Sequence, residues 1–197
     1  QKEIIKHCSI IIESTELPVV LYNIPKYTGN PLDAESVYEL AKLPRVIAYK
    51  DSSSNMVHFQ EVLRLTDDLE NFSVFQGNHL LSIPSLLMGA KGIVPGIGNI
   101  IPGEMVQLYR AVLAGDLETA YRYHELVVRL EKLVANAEYS LSMLKGMIEV
   151  LGFTDDCVPH SPLPPLGDCE KQNLKDFFQR EKISGWLQHE IDLDKEV

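Results

Sequence analysis

The lysine at position 50 stands where an apolar run stops. Val46-Ile47-Ala48-Tyr49-Lys50 reads as a short strand, and Asp51-Ser52-Ser53-Ser54 breaks it with small polar residues. Side chains alternate along a strand, so Val46, Ala48 and Lys50 are expected on one face and Ile47 and Tyr49 on the other. A lysine in such a place either escapes to solvent at the strand end or is a desolvated amine with a depressed pKa, able to attack a ketone and form a Schiff base. A second run, Val19-Val20-Leu21-Tyr22-Asn23, ends in a tyrosine. If the two strands are neighbours, about 4.8 Å apart, Tyr22 and Lys50 point into one pocket, with the small Ala48 leaving room beneath the lysine. The pairing makes chemical sense, because imine formation needs a group that moves protons to and from the carbinolamine. Taken alone, Tyr22 reads as a core aromatic with a satisfied hydroxyl; the lysine opposite gives it a second reading. Asp51, next to the lysine, projects away from it and is assigned no catalytic role.

These residues need elements to hold them. Ile4, Ile5, Cys8, Ile11 and Ile12 recur at helical spacing and predict a helix over 2–14. The strand 19–23 follows, then a loop marked by Pro25 and Gly29. Asp33 reads as the N-cap of a helix through Val37, Leu40 and Ala41. After the strand 46–50 come a helix carrying Val57, Phe59, Val62, Leu63 and Leu65, a strand over 72–76, a helix over 80–88 that admits Pro84 in its first turns, and a strand over 92–96. From Pro102 the pattern is helical: one helix to about 114, a second to about 135, a third over 140–151 and a last over 170–180, with a Pro-rich extended stretch, 159–166, before the last. Strands alternating with helices imply parallel pairing, and ligands then gather at the C-terminal ends of the strands.

Composition sets the outer bounds. The 197 residues, 45% hydrophobic and 23% charged, suit a globular domain with a sizeable core. A net charge of −10 argues against nucleic acid or an anionic membrane surface as partner. No apolar run approaches the roughly 20 residues of a membrane span. Cys8, Cys157 and Cys169 read as free thiols of a reducing cytosol, and no Cys/His cluster has ligand spacing, so no metal site and a cytoplasmic location are expected. The chain opens inside an amphipathic helix without an initiator methionine, which reads as a start partway through a larger protein.

Two motifs carry a family resemblance. Tyr22-Asn23-Ile24-Pro25-Lys26-Tyr27-Thr28-Gly29 resembles the Y-N-x-P-x-x-T-G signature of the dihydrodipicolinate synthase / N-acetylneuraminate lyase family of class I aldolases, and Lys50-Asp51-Ser52-Ser53 is similar to its Schiff-base lysine motif. Gly77, the run Gly89-Ala90-Lys91-Gly92-Ile93, Asn99, Pro102, Lys145-Gly146 and Pro162-Leu163-Pro164-Pro165-Leu166 match as well. The resemblance implies an α/β fold, a (β/α)8 TIM barrel with a C-terminal helical extension, assembled as a homo-oligomer, dimer or tetramer. It implies that Lys50 forms the imine with pyruvate or a related 2-oxo acid and that Tyr22 shuttles protons. Thr28 and Gly29 would lie over the substrate, with Gly77 and Val94 lining the site. The second substrate would be an aldehyde, with no cofactor beyond the covalent imine.

The chain departs from the pattern in two ways. Four strands are read where the family has eight, so residues 1–114 are expected to be the C-terminal half of the barrel and 115–197 the helical extension and tail. The absent half would carry the loop that binds the pyruvyl carboxylate and a tyrosine contributed across the dimer. An open half-barrel exposes strand edges and an apolar interior, so catalysis is expected to need a second half, and an inactive fragment acting only in oligomerisation is the alternative from another class. The other departure concerns the aldehyde. Tyr27 stands where the lysine-pathway synthases carry arginine, and a tyrosine makes no bidentate ion pair with a carboxylate. Asn78, His79 and Leu80 stand where sialic acid lyases place acidic residues. An aldolase for 2-keto-3-deoxy sugar acids or for hydroxy-oxoacids fits the same motifs. A rival enzyme reading takes Gly96-Ile97-Gly98 as a phosphate cradle and Lys50 as a pyridoxal-phosphate lysine; the plainer one takes those glycines as tight-turn residues.

Overall fold

A computed structural model describes residues 1–154 and 157–183. The expected solvated tail, Gln188–Val197, lies outside the described residues. The described chain forms two compact units, Gln1–Pro95 with Val112–Asp116, and Gly96–Ala111 with Leu117 onward.

The first unit is the strand–helix alternation. Helix α1 (Lys2–Glu13) leads into β1 (Val19–Asn23), a one-turn helix α2 (Pro25–Thr28), and α3 (Ala34–Ala41). Then come β2 (Val46–Asp51), α4 (Met56–Leu65), β3 (Ser73–Gln76), α5 (Ser82–Leu87) and β4 (Gly92–Ile93). The four strands pair in chain order, every pair parallel. Asp33 caps α3 as expected, its carboxylate accepting from Ser36 N at 2.7 Å, and Asn55 does the same for α4 from His58 N at 3.1 Å.

The register sorts the side chains into two faces. Leu21, Tyr49 and Val74 lie side by side and are buried on the face that the helices cover. One row further on, Asn23, Asp51 and Gln76 are buried on the same face. The opposite face carries Val20, 52% exposed, and Tyr22, 47% exposed, beside Lys50 and Phe75.

Four sequence expectations for this first unit need correction. Strict alternation along 46–50 fails at Ile47, because Val46 pairs with Val19 and Ala48 with Val20, leaving Ile47 as the extra residue of a bulge. The loop after β1 is partly helical: Pro25 supplies the first helical position and Gly29, at φ +68°, closes the turn in the left-handed region. The fourth strand stops at Ile93 rather than 96. Val94 N still donates to Gln76 O at 2.8 Å, and after Pro95 the chain turns into the 3₁₀ run Gly96–Asn99. The helix expected over 80–88 starts as a 3₁₀ turn, His79–Leu81, and becomes α only from Ser82.

The second unit is helical: α6 (Pro102–Leu113) up to Ala111, then α7 (Leu117–Ala135), α8 (Ser140–Val150) and α9 (Asp168–Glu181). Its core includes Leu108, Val127, Leu130, Met147, Leu174 and Phe178. Lys171 and Glu149 join α9 to α8 at 2.7 Å. The Pro-rich stretch is not extended throughout, since Leu163 N donates back to His160 O at 3.1 Å. Among the described residues no helix is long and apolar enough to cross a membrane.

Candidate active site

The site forms at the C-terminal ends of β1, β2 and β3, on the sheet face that the helices leave open. Tyr22 stands directly opposite Lys50 across the parallel pair. The Lys50 Nζ lies 4.6 Å from the centroid of the Tyr22 ring. The two residues that sequence brought together therefore meet. Among the described residues no carboxylate forms an ion pair with Lys50. Ser52, which sequence reasoning gave no part, adds a third group: its hydroxyl donates to Tyr22 OH at 3.5 Å, the long end of hydrogen bonding. Amine, phenol and hydroxyl thus converge at one strand end.

Gly77 closes the far side. Its N–H donates to Asp51 O at 2.7 Å, continuing the β2–β3 ladder. A Cβ there would collide with Ser52 Oγ and approach both Asp51 O and Lys50 Cε to 2.9 Å. The glycine is needed for space: it lets the lysine stem run past the end of β3. Val94 follows β4 in the same row of strand ends, half exposed, with its N–H already given to Gln76 O. Thr28 and Gly29 shape the turn after β1. The Thr28 hydroxyl is engaged inside that turn, within 3.3 Å of Ile24 O and Asn30 O and accepting from Asn30 N at 3.3 Å. The Gly96–Asn99 run is a 3₁₀ turn with Ile97 buried and the Asn99 amide donating to Gly96 O at 2.9 Å, a closed turn rather than an open phosphate cradle.

Behind the open face lies a buried polar cluster. Asp51 Oδ1 accepts from Asn23 Nδ2 at 2.9 Å, Tyr49 OH at 3.1 Å and Ser53 N at 3.3 Å, and Oδ2 accepts from Ser53 Oγ at 2.7 Å. Tyr49 OH also lies 2.8 Å from His58 Nε2. A phenol has one proton, so with that proton on Asp51 the Tyr49 oxygen accepts hydrogen from His58. Burial first, and then the Asp51 carboxylate, push the Tyr49 phenol far above its ordinary value. Strand alternation predicts that Asp51 projects away from Lys50, as it does. The donors waiting for it there had no sequence signal.

The model of the dihydrodipicolinate synthetase family matches residues 1–181. The chain belongs to that family. Among curated members, the 4-hydroxy-tetrahydrodipicolinate synthase of Methanosarcina barkeri is 32% identical over 177 residues, 90% of this chain and 60% of the relative. That of Oceanobacillus iheyensis is 36% identical over 69% of this chain and 46% of its own length. Among solved structures, the dihydrodipicolinate synthase of Bacteroides thetaiotaomicron superimposes with a TM-score of 0.84 at 28% identity, over 91% of this chain and 61% of that one. YagE, a prophage protein of the dihydrodipicolinic acid synthase family from E. coli K12 solved in complex with pyruvate, gives 0.84 at 26% identity, over 92% and 62%. The chain thus spans about half to three-fifths of the length of these family members.

Proposed function

We propose that this chain is the lysine-bearing half of a pyruvate-dependent aldolase, with residues 1–114 forming the second half of a (β/α)8 barrel and 115–197 its helical extension and tail. One observation carries the reading: an amine without a carboxylate partner, 4.6 Å from a phenol ring, on the open face at the C-terminal ends of parallel strands. The neutral Lys50 Nζ attacks the C2 carbonyl of pyruvate, forming the C–N bond while the carbonyl oxygen takes the Tyr22 proton. The nitrogen proton then passes to the Tyr22 phenolate, and the phenol protonates the departing hydroxyl, so that water leaves and the iminium remains. The Tyr22 phenolate takes a C3 proton, which gives the enamine; C3 then forms the bond to the aldehyde carbon as the aldehyde oxygen takes that proton back from the phenol, and addition of water to the restored iminium frees the product and the lysine. Ser52 and the Gly77 edge hold phenol and lysine stem in reach of each other.

The open face is the second support. Sheets made only of parallel strands are normally covered on both faces, whereas Val20 and Tyr22 stand uncovered. A first half-barrel laid against them would close the pocket and add the groups that grip the pyruvyl carboxylate. A second reading of the aldehyde rests on Tyr27, 70% exposed on α2 with Lys26 Nζ 5.7 Å from its ring. A phenol there suits the hydroxyls of a 2-keto-3-deoxy sugar acid or a hydroxy-oxoacid better than the carboxylate of aspartate semialdehyde.

The test is turnover. The chain is co-expressed with the first half of the Methanosarcina barkeri relative and assayed with pyruvate and a panel of aldehydes. Carbon–carbon bond formation is expected from the pair, and none from the chain alone or from a Lys50→Ala pair. Turnover by the dispersed monomer would overturn the half-barrel assignment, and turnover by the Lys50→Ala pair would overturn the imine.

A further inference from the structure

We propose that Asn23 and Asp51 are positioning residues, a buried clamp on the back of the sheet that aims Tyr22 and Lys50 at each other. The inference rests on the reading of those two residues as the reacting pair. Each clamp residue is the chain neighbour of one of them: Asn23 follows Tyr22 and Asp51 follows Lys50. The two sit opposite each other in the register, one row beyond Tyr22 and Lys50, and are joined by the 2.9 Å bond from Asn23 Nδ2 to Asp51 Oδ1. That bond fixes the offset between the strand ends. Both side chains are almost wholly buried, where such a bond keeps its geometry because its groups cannot exchange to water.

The same two side chains reach the segments that surround the pocket. Asn23 Oδ1 accepts from Leu32 N at 3.1 Å, so the turn carrying Thr28 and Gly29 is anchored at its far end to the residue beside Tyr22. Asp51 holds Ser53 through both its N–H and its hydroxyl, which fixes the bend that carries Ser52. Ser52 N in turn donates to Asn23 O at 2.8 Å, closing the link between β1 and the bend. The turn after β1 and the bend after β2, the two segments that flank the Tyr22–Lys50 pair, are therefore both tied to one buried amide–carboxylate pair. A wholly structural role would need a polar pair somewhere in the sheet; here it stands beside both reacting residues.

Three variants test this. Asn23→Ser cuts the bridge and the Leu32 anchor. Asp51→Ala removes the acceptor. Asp51→Asn keeps the Oδ1 contacts and lets its amide donate to Ser53 Oγ. The first readout needs no substrate: the ring-current shift of the Lys50 side-chain protons by the Tyr22 ring, seen by NMR. The second, on the chain co-expressed with the first half-barrel, is the rate of borohydride trapping at saturating pyruvate, together with the half-saturating pyruvate concentration. Asn23→Ser and Asp51→Ala are expected to abolish the ring-current shift and slow trapping about tenfold to a hundredfold, the scale of a misplacement near 1 Å. Half-saturation should stay unchanged and Asp51→Asn should restore the rate. Tyr22→Phe should cost less in the Asn23→Ser background than alone, because its phenol is already misaimed. Retention of the parent shift and trapping rate in Asn23→Ser would overturn the inference, as would purely additive losses. If Asp51→Ala does not fold, Asn23→Ser and Asp51→Asn decide alone. If the parent chain co-expressed with the first half-barrel traps no pyruvate, the imine reading fails, while the ring-current shift still decides the clamp.

Discussion

Replacing Gly77 by alanine adds one methyl group at the tightest point of the site. That methyl would collide with Ser52 Oγ and stand 2.9 Å from Asp51 O and from Lys50 Cε. The serine hydroxyl can rotate away cheaply. The carbonyl cannot, because it is backbone and accepts the Gly77 N–H at 2.7 Å. Separating the strand ends would stretch that bond, worth about 1 kcal/mol. The remaining freedom lies in the lysine stem, which must swing off its place beside Tyr22. Overpacking of this kind costs roughly 1–3 kcal/mol, and in a chain of this size each kcal/mol lowers the melting temperature by about 2–4 °C. Gly77→Ala is therefore expected to melt several degrees lower, by differential scanning calorimetry, and to slow borohydride trapping with pyruvate by about tenfold or more, since each 1.4 kcal/mol of lost alignment is tenfold in rate. Adding Ser52→Ala should restore little of the stability or the trapping, because the Asp51 O and Lys50 contacts persist. A Gly77→Ala chain that melts and traps like its parent would refute the reasoning.

Two other predictions follow from single atoms. Tyr22→Phe removes a hydroxyl whose protein contact is a 3.5 Å bond from Ser52, so the melting temperature should barely move, while imine formation slows about a hundredfold to ten-thousandfold; equal trapping rates would remove Tyr22 from the relay. Tyr49, buried and raised far above its ordinary value, is neutral in the folded chain, whereas the unfolded phenol ionises near pH 10. Its contribution to stability is thus fully present below about pH 10 and declines as pH rises beyond it, by up to about 1.4 kcal/mol per pH unit. Urea unfolding between roughly pH 10 and 11.5 should be steeper in pH for the parent than for Tyr49→Phe, and parallel slopes would contradict the burial argument.

Much of the frame was legible from local pattern. The apolar runs ending in Tyr22 and Lys50 located β1 and β2, and Asp33 marked the start of α3, because each signal is carried by neighbouring residues. What escaped depended on partners distant in sequence. The bulge at Ile47 is a property of how β2 pairs with β1, and nothing in Val46-Ile47-Ala48 announces it. The crowding around Gly77 comes from Ser52, Asp51 and Lys50 on another strand. The burial of Asp51 contradicts the usual exposure of aspartate and becomes intelligible only once Asn23, Tyr49 and Ser53 are seen to donate to it. The early end of β4 and the turn at Pro25 were different: Pro95, Pro25 and Gly29 carried both signals in plain view.

The most direct measurement is to reduce the chain, co-expressed with the first half-barrel, with borohydride in the presence of isotopically labelled pyruvate and map the label by peptide mass spectrometry. The account predicts one reduced pyruvyl group, on Lys50 and on no other lysine, with labelling lost in Lys50→Arg. Label spread over surface lysines, or labelling that survives Lys50→Arg, would contradict it.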